Sequence, residues 1–412
     1  MNIWLINHYA VPTKYYPLAR PEAFTKYLLQ MGHSVTIFAA STVHNSDQNL
    51  ITDGNLYKED TVEGIHYVYI RDCEYTGNGI KRILNMALFP MRLSRVCKHF
   101  PKPDAILATS VTPMACMKGI NLAKRYGCRG VAEIADLWPE TFVAYGVLKN
   151  NSPVLKLLYA YEKRLYSKAD AIVFTMEGGC DYIIEKGWDK EHGGPVELRK
   201  VHYINNGVDL ETFNFNKVNH AYHDEDIDDT EHFKAVYTGA IRDVNGLGQL
   251  VKVAEYLKKR NNDKIRILIY GDGDKRKELE KQVALLGLDN IKFKGRVSKE
   301  SIPSILSKAD LCLLHWKPTP ISDFGMSMNK FFEYIAAGKP VLSSAKPKYD
   351  MVTGFGCGFS EDVTKIPKYA EAMEKISKYD DSEYRCLCLR SMELSRLYDF
   401  KKLTSELVSI LK

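Results

Sequence analysis

Lys330 and Glu333 are three residues apart in "NKFFEYIAAGKPVL", a spacing that places two side chains on one face of a helix. On an exposed face such an ion pair contributes only about 0.2–0.5 kcal/mol. Here Phe331, Phe332 and Tyr334 are apolar, and the start of a helix leaves backbone N–H donors free. A carboxylate at this place can accept hydrogen bonds from both hydroxyls of a ribose, and the ammonium can hold a phosphate. The pair therefore predicts a nucleotide contact.

The segment "YTGAIRDVNGLGQL" could bind a diphosphate. It has the pattern of a strand, a loop and a helix, with Gly239 and Gly246 on either side of Arg242 and Asn245. A guanidinium beside the free N–H groups of a helix start suits a diphosphate. Taken alone, however, the segment is better explained as a plain connection between a strand and a helix.

A second glycine-containing turn occurs in "YGDGDKRKELE". Gly271 and Gly273 would permit a tight turn and a close approach of the backbone to an anion at the helix start. Lys275 or Arg276 could add a positive charge to a phosphate. The third glycine of a dinucleotide fingerprint is absent, and the segment is not a Walker loop. A strand–helix turn without a ligand is an equally good interpretation.

Two carboxylates end the strand pattern "GVAEIADLWPETF". Glu133 and Asp136 are three apart, so on a strand their side chains would point to opposite faces. The apolar neighbours indicate a central strand, whose end would face a ligand cleft. A carboxylate there could act as a base or hold a sugar hydroxyl. The alternative is an Asp that caps a helix or a turn.

A basic amphipathic pattern extends over residues 78–102 and contains no acidic residue. Apolar side chains recur at helical spacing, and basic side chains are interspersed, as in helices that lie on anionic lipid. The alternative is a helix that packs on the N-terminal sheet and presents a basic outer face. The apolar positions are 80, 83, 84, 87, 88 and 91, and the basic residues include Lys81, Arg82, Arg92 and Arg95.

The elements that must position these residues alternate between strand and helix patterns. "NIWLI", "EAFTKYLLQMGH" and "SVTIFAAS" predict a β-α-β unit and therefore a parallel sheet. The alternation stops at the acidic segment "NHAYHDEDIDDTEHF", which resembles a solvated linker, and resumes at "KAVYTGAI".

The predicted fold class is α/β, with two doubly wound Rossmann-like domains and a ligand at the carboxyl ends of the strands in an interdomain cleft. The predicted domains are residues 1–205 and 206–385. A helical segment, 386–412, is expected to pack back toward the N-terminal domain.

The composition limits the class of protein. A chain of 412 residues is too long for one ordinary core, which also favours two domains. The net charge of +6, with both signs mixed, does not indicate a dedicated nucleic-acid binder but fits anionic small molecules or an anionic membrane. The nine cysteines include no C-x-x-C pair, so we expect a reducing compartment without disulfides or structural zinc.

The sequence also predicts a cytoplasmic protein. "MNIWLINHYAVP" lacks the basic leader of a signal peptide, and no window reaches 18 apolar residues. We therefore expect a soluble or peripheral protein.

Together these segments resemble the GT-B glycosyltransferases of the large retaining family four. Within that family the chain is most similar to bacterial enzymes of O-antigen and capsule assembly, including the fucosamine-transferase-like subgroup. The resemblance covers nearly the whole chain and rests on the order of the segments. These are "LINHYA", "KYLLQMGHSVTIFAAS", "EIADLWPE", "INNGVDLETF", "YTGAIRDVNGLGQL", "YGDGDKRKELE", "NIKFKGRVSKESIPSILSKADLCLL" and "NKFFEYIAAGKPVL".

The resemblance implies that the C-terminal domain binds a UDP-sugar and the N-terminal domain binds the acceptor. In the family, the glutamate before "AAGKPV" holds the ribose, which corresponds to Glu333. The diphosphate contacts correspond to Arg242 and to either Lys275 or Arg276. Asn245 occupies the place of a usual lysine, a contact that Lys330 could replace.

The family pattern has a second glutamate, and its place here is Gly325. The fucosamine-transferase-like subgroup commonly has Ser-x-Asn-Lys nearby, as in Ser327, Asn329 and Lys330. The donor sugar would then be held by backbone N–H groups of "DFGMS". Asp136 stands at the strand end where many members carry a histidine that touches the donor sugar.

The implied reaction is transfer of a sugar, with retention, from a UDP-sugar to an undecaprenyl-diphosphate-linked saccharide. It would occur on the cytoplasmic face of the cell membrane in surface polysaccharide biosynthesis. No cofactor is expected. No metal is expected either, since the acidic run "DEDIDD" lies in the predicted linker.

Two other functions fit parts of the pattern. A GT-B UDP-sugar 2-epimerase would need a carboxylate and a histidine for proton abstraction, and His8 and Asp136 could serve. A non-catalytic nucleotide-sugar sensor, or a partner subunit of an assembly complex, would keep the nucleotide contacts alone.

Overall fold

The computed structural model describes residues 1–16, 19–44, 46–75, 77 and 79–412. They form two compact units. The first unit contains Met1–Asn205 and Phe400–Lys412, and the second contains Asn206–Asp399. Each unit is built around one sheet.

Strands of mostly apolar sequence form the two sheets, as expected for parallel sheets that are covered on both faces. The strands are β1 (Asn2–Ile6), β2 (Ser34–Ala40), β3 (Tyr57–Val62), β4 (Ile65–Ile70), β5 (Ala105–Thr109), β6 (Arg129–Ile134), β7 (Ala171–Phe174), β8 (Val201–Tyr203), β9 (Phe233–Thr238), β10 (Ile265–Tyr270), β11 (Ile291–Gly295), β12 (Leu311–Leu314), β13 (Val341–Ser343) and β14 (Gly358–Ser360).

The helices connect these strands and cover the sheets. They are α1 (Ala19–Gln30), α2 (Ile80–Val96), α3 (Pro113–Tyr126), α4 (Trp138–Ala144), α5 (Pro153–Lys168), α6 (Gly179–Glu185), α7 (Leu210–Asn219), α8 (Gly248–Lys259), α9 (Arg276–Leu285), α10 (Ile302–Lys308), α11 (Asn329–Ala336), α12 (Met351–Gly354), α13 (Ile366–Ser377), α14 (Asp381–Leu397) and α15 (Phe400–Leu411).

The sheet of the first unit has the order β3-β4-β2-β1-β5-β6-β7-β8. Its pairs are parallel except that β3 runs antiparallel to β4 at the edge. Helices α3 and α15 both pack on β5 and β6, and α1 contacts α15 whereas α2 and α5 contact α3. Helices therefore cover both faces of this sheet.

The sheet of the second unit has the order β11-β10-β9-β12-β13-β14 and is parallel throughout. Helices α8 and α13 pack together over one face, with a core of fully buried residues such as Ile267 and Leu313. The strand order reverses between β9 and β12, where ligands of doubly wound sheets bind at the carboxyl ends. The prediction of two Rossmann-like α/β domains is confirmed.

Several elements differ from the sequence-based expectation. The antiparallel strand β3 was missed because half of its side chains are polar and exposed at the sheet edge. Strand β6 ends at Ile134, so Asp136 lies beyond the strand, in the turn before α4. The expected terminal segment 386–412 is divided: its first part belongs to α14 of the second unit, and α15 packs on the first.

The acidic segment 219–233 is not a solvated linker. Asp224 and Asp226 form ion pairs with Lys294 at 3.2 and 2.6 Å, and Asp226 also pairs with Lys292. Ile227 is buried. The acidic side chains are therefore used to attach this segment to β11, which a pattern of charges alone does not reveal.

Candidate functional site

Helix α11 carries the Lys330–Glu333 pair. Phe331, Phe332 and Ile335 recur at helical spacing and are buried in the second unit, which fixes the rotation of the helix. The helix is followed by Gly338 at φ +68°, a left-handed conformation typical of a residue just beyond a helix end. As at any α-helix start, the first backbone N–H groups, beside Lys330, have no acceptor within the helix itself.

Lys330 is tied to the loop that follows β9. Its Nζ donates to the Tyr237 hydroxyl at 3.0 Å and lies 4.5 Å from the centre of the Tyr237 ring. The Tyr237 hydroxyl in turn donates to the carbonyl oxygen of Ala240 at 2.8 Å. Burial lowers the pKa of Lys330 to about 8, although Glu333 partly opposes the shift. An anion placed beside this ammonium would restore its preference for the charged form.

Glu333 is half-buried, and no hydrogen bond or ion pair to its carboxylate exists among the described residues. Burial raises its pKa, while Lys299 and Lys330 act in the opposite direction. A half-buried carboxylate without a partner is costly, and a ligand that donates hydrogen bonds would relieve the cost. Lys330 and Glu333 thus share a helix face without satisfying each other, which leaves both available to a ligand.

The two glycine loops contact each other. Gly239 N donates to Tyr270 O at 3.0 Å, Ile241 N donates to Asp272 O at 2.9 Å, and Lys275 N donates to Ile241 O at 3.1 Å. These bonds continue the pairing of β9 with β10 beyond the strand ends. The loops after both strands therefore form one rigid unit next to α11.

The reason for the glycines differs from the prediction. A Cβ on Gly271 would lie 1.8 Å from the carbonyl oxygen of Gly239, and one on Gly273 would lie 2.3 Å from that of Ile241. The close neighbour that excludes side chains is thus the backbone of the other loop, not an anion. Their effect on a ligand is indirect, through the position of the loop that carries Arg242.

Arg242 and Lys275 line a groove of about 270 Å³ in the second unit. Arg242 is exposed and has no ion-pair partner among the described residues. Lys275 is half-buried, and its Nζ lies 2.9 Å from the exposed Glu278 carboxylate. Such a surface ion pair contributes little free energy, so Glu278 is easily exchanged for another anion. Arg276 is committed elsewhere: it pairs with Glu280 at 2.8 Å and packs on Gly295. Of the two residues proposed after "GDG", Lys275 is therefore the better placed.

The loop before α11 explains the absent glutamate. Gly325 has φ +112°, a conformation that residues with a side chain rarely adopt, so a glutamate there would be strained. The buried Ser327 hydroxyl has no hydrogen-bond partner within the described ranges, and the Ser327 carbonyl accepts from Asn206 Nδ2 at 3.0 Å. Asn329 is exposed at the first turn of α11. Asn206 was not among the predicted site residues because its sequence position gives no sign of this contact.

Asn245 takes part through its backbone. Its carbonyl oxygen accepts a hydrogen bond from His315 Nδ1 at 2.8 Å, whereas its side chain has no hydrogen-bond partner among the described residues. His315 directly follows β12 and was not predicted as a site residue. The only hint of a role in the sequence is its position, because His315 directly follows an apolar segment that predicts a buried strand.

Glu133 is not available as a base or a ligand contact. It is 2% exposed, pairs with Arg20 Nε at 2.8 Å and accepts from the Thr109 hydroxyl at 2.9 Å. Arg20 also donates to the carbonyl of Ile204 at 2.9 Å. Glu133 therefore completes a buried ion pair that joins β6, α1 and the residues directly after β8.

His8 is likewise inaccessible. Its ring is 0% exposed and bonds to Asn85 Oδ1 through Nε2 at 2.8 Å, and burial lowers the pKa of His8 to about 3. Such a ring stays neutral and enclosed, which removes the histidine that a 2-epimerase reaction would use. Asp136 is exposed in the turn after β6, although its packed surroundings raise its pKa. It is the only one of the three predicted catalytic side chains that the structure places at an accessible surface.

Helix α2 presents its apolar stripe outward. Ile80 is 85% exposed and Met91 64% exposed, with Ile83 and Leu84 on the same face. As the predicted alternative has it, α2 packs on the N-terminal sheet, where it contacts β4, but it does so through the face opposite to this apolar stripe. That buried face comprises Asn85, Met86, Phe89, Pro90, Leu93 and Val96.

The basic residues of α2 differ in exposure. Lys81 and Arg95 are exposed beside the apolar stripe, whereas Arg82 is half-buried. Arg92 donates to the carbonyl oxygen of Arg71 at 2.6 Å. Asn78, the first residue of the predicted basic segment, lies outside the described residues. No helix in the described part of the chain is long and apolar enough to cross a membrane.

Two family models match the sequence in succession. Glycosyltransferase Family 4 matches residues 22–212, and Glycosyl transferases group 1 matches residues 221–386. No curated protein matches the chain. The two models together cover most of the chain and correspond to the two units of the structure.

Solved structures share the fold at low sequence identity. The E. coli structure described as trehalose-6-phosphate bound with UDP-2-fluoro glucose has a TM-score of 0.73 and 11% identity, covering 100% of this chain and 99% of that one. Anabaena Alr3699/HepE in complex with UDP has a TM-score of 0.61 and 17% identity, with coverage of 100% and 99%. WaaG, a glycosyltransferase involved in lipopolysaccharide biosynthesis, has a TM-score of 0.66 and 13% identity, with coverage of 100% and 100%.

These neighbours do not indicate the fucosamine-transferase-like subgroup in particular. They share the two-domain fold, and the family models identify both domains. The chain therefore belongs to the GT-B glycosyltransferases, with a family four domain followed by a group 1 domain.

Proposed function

We propose that this glycosyltransferase moves a sugar from a UDP-sugar to a lipid-linked saccharide acceptor at an anionic membrane surface. The observation that carries the proposal is the Lys330–Glu333 face of α11. It offers, on one face of the helix, a carboxylate that has no partner in the described part of the chain and an ammonium with a lowered pKa. A ribose donates hydrogen bonds to a carboxylate, and a diphosphate attracts an ammonium.

The diphosphate is the leaving group of the proposed reaction, and its negative charge must be stabilised as the glycosidic bond to it breaks. Arg242, Lys275 and Lys330 supply positive charge from three neighbouring elements. The start of α11 adds the positive end of a helix dipole. Because the two glycine loops are hydrogen-bonded to each other, the backbone that carries Arg242 and Lys275 is held in place before the donor binds.

UDP as the nucleotide is supported by the neighbours. Alr3699/HepE was solved with UDP, and the E. coli structure carries UDP-2-fluoro glucose. We propose retention of the anomeric configuration and no metal requirement from the resemblance to family four. From the same resemblance we propose Asp136, which is accessible in the turn after β6, as a contact to the transferred sugar.

The membrane part of the proposal rests on α2. Exposed Ile80, Ile83, Leu84 and Met91 would enter the interfacial region of the lipid, and Lys81 and Arg95 would contact anionic headgroups. A lipid-linked acceptor in O-antigen or capsule assembly would be presented at the cytoplasmic side of such a surface. A structural neighbour, WaaG, is a glycosyltransferase involved in lipopolysaccharide biosynthesis, which also concerns a lipid-attached saccharide.

The test is a transfer assay with a panel of UDP-sugars and a polyprenyl-diphosphate-linked saccharide in anionic vesicles. We expect one donor to release UDP only when the acceptor is present. Conversion of a UDP-sugar without acceptor into an epimer would contradict the transfer reaction. Binding of UDP-sugars without turnover on any acceptor, together with incorporation into a multiprotein complex, would favour the non-catalytic alternative.

A further inference from the structure

His315 is buried next to the loop that carries Arg242, although no part of the proposed reaction uses it. It is 0% exposed, and its Nδ1 lies 2.8 Å from the carbonyl oxygen of Asn245. A carbonyl oxygen only accepts, so the proton of the neutral ring is on Nδ1. Nε2 is then an acceptor, and it has no hydrogen-bond partner among the described residues. The site selects one tautomer of His315.

Lys317, two residues after His315, holds the same loop. Lys317 N donates to the Val244 carbonyl at 2.9 Å, and Lys317 Nζ lies 2.7 Å from Asp243 Oδ2. On the other side, Trp316 N donates to Ser344 Oγ at 2.9 Å. We call residues 315–317 the β12 clip, since they connect the loop 242–246 to the end of β13.

The loop that the clip holds is short and tightly turned. A 3-10 turn over Asp243–Asn245 follows Arg242, and Gly246 closes it at φ +65°. A Cβ on Gly246 would be 3.1 Å from Lys317 Cγ, so the clip and the loop are packed closely. Because Asn245 N donates back to Arg242 O at 3.0 Å, displacement of the Asn245 carbonyl would also displace Arg242.

We infer that His315 is a positioning residue that fixes Arg242 for the donor diphosphate through the Nδ1–H bond to the Asn245 carbonyl. The inference rests on the proposed function, because Arg242 matters only if a diphosphate binds. Burial lowers the pKa of His315 to about 4, so the neutral ring adds no repulsion toward Lys330. A ring that served only to fill the core would need no particular tautomer.

The test compares substitutions that imitate one ring nitrogen each. The amide nitrogen of His315→Asn reaches the place of Nδ1, whereas that of His315→Gln reaches the place of Nε2. We expect His315→Asn to keep the affinity for UDP within about threefold and His315→Gln and His315→Phe to lose about tenfold or more. His220→Phe, an exposed histidine at the end of α7, is the matched control for the loss of a ring nitrogen.

A double variant and a wild-type measurement complete the test. If His315 acts through Arg242, then Arg242→Ala/His315→Gln should bind UDP no more weakly than Arg242→Ala alone. In the wild type, 15N shifts of His315 should report protonated Nδ1 and bare Nε2, and in His315→Gln the amides of Asn245 and Gly246 should exchange faster.

Equal losses in the Asn and Gln variants, additive losses in the double variant, or protonation at Nε2 would each overturn the inference. Should the wild type not bind UDP at all, the proposed donor is wrong. The tautomer and the amide exchange then still decide whether His315 holds the loop.

Discussion

The surroundings of Glu333 differ from what its position in the sequence suggests. Its type and spacing suggest an ordinary helical ion pair with Lys330, but the structure leaves its carboxylate without a partner among the described residues. Lys330 instead contacts Tyr237, which belongs to the end of β9. The pattern Lys330–Glu333 is therefore not an ion pair closed on itself, which is why we propose the two side chains as separate contacts for one ligand.

Replacement of Glu333 by Ala should weaken binding of UDP by about 1–3 kcal/mol, since hydrogen bonds to a charged group are lost. Affinity for 2′,3′-dideoxy-UDP should be nearly unchanged by the substitution, because this ligand lacks the hydroxyls assigned to Glu333. Calorimetry on both ligands measures the difference, and Glu300→Ala, an exposed acid of the same unit, is the control. An equal loss of affinity for both ligands would show that Glu333 does not bind the ribose hydroxyls.

Affinity for UDP should fall as the pH rises above about 8, because Lys330 then loses the proton that a phosphate requires. Loss of one proton can lower the affinity for UDP by at most about tenfold per pH unit. The lowered pKa has the opposite effect on folding: the unfolded chain holds more protons between pH 8 and 10.5, so the contribution of Lys330 to stability rises there.

Calorimetric titrations between pH 7 and 9 would measure the change in affinity. The same titrations with Lys330→Met contain the pH dependence that comes from ionisation of UDP itself. The difference in affinity between the two proteins at each pH therefore reports Lys330 alone. If the affinity of the wild type and of Lys330→Met changed equally with pH, Lys330 would not be a phosphate contact.

At the scale of elements, the site depends on two loops that fit together without side chains. The glycines of "YGDGD" resemble an anion-binding turn, but their space is occupied by the carbonyl groups of the loop after β9. Likewise, the apolar positions of α2 resemble a core-facing stripe, but they point away from the unit. In both cases the local pattern identified residues with a structural role but did not show what those residues contact.

Gly271→Ala should destabilise the second unit by more than about 3 kcal/mol, because its Cβ would overlap the Gly239 carbonyl oxygen. Gly287→Ala is the matched control, since Gly287 also has positive φ but faces open space, and should cost about 1–2 kcal/mol. Urea unfolding gives both values. Similar costs for the two variants would mean that the loops separate easily.

Charge reversal on α2, Lys81→Glu/Arg95→Glu, should weaken binding to vesicles with anionic lipid, since each basic residue near the surface contributes about 1 kcal/mol. Lys124→Glu/Lys402→Glu changes the net charge equally on exposed positions elsewhere in the first unit. Sedimentation with vesicles compares them. Equal losses would indicate that only the overall charge matters.

At the scale of the whole molecule, the chain builds two α/β units, and its last helix belongs to the first unit. A ligand of the native state should stabilise the fold by mass action, by about 2.7 kcal/mol at a concentration of 100 times Kd. UDP should therefore raise the unfolding temperature of the wild type, and the rise should be smaller for Glu333→Ala at the same concentration. Scanning calorimetry would measure this, and an identical rise for both proteins would contradict the assigned site.

The sequence by itself determined the fold class, because buried parallel strands require continuous apolar runs and the connecting helices require a different period. It also singled out Lys330, Glu333 and Arg242 as candidate donor contacts, because their neighbours along the chain are unusual, and these roles stay predictions. The tertiary structure alone decided which partners side chains have: it paired Glu133 with Arg20, enclosed His8, turned the apolar face of α2 outward and set His315 against Asn245. These contacts join residues far apart in the chain, and a local pattern carries no information about them.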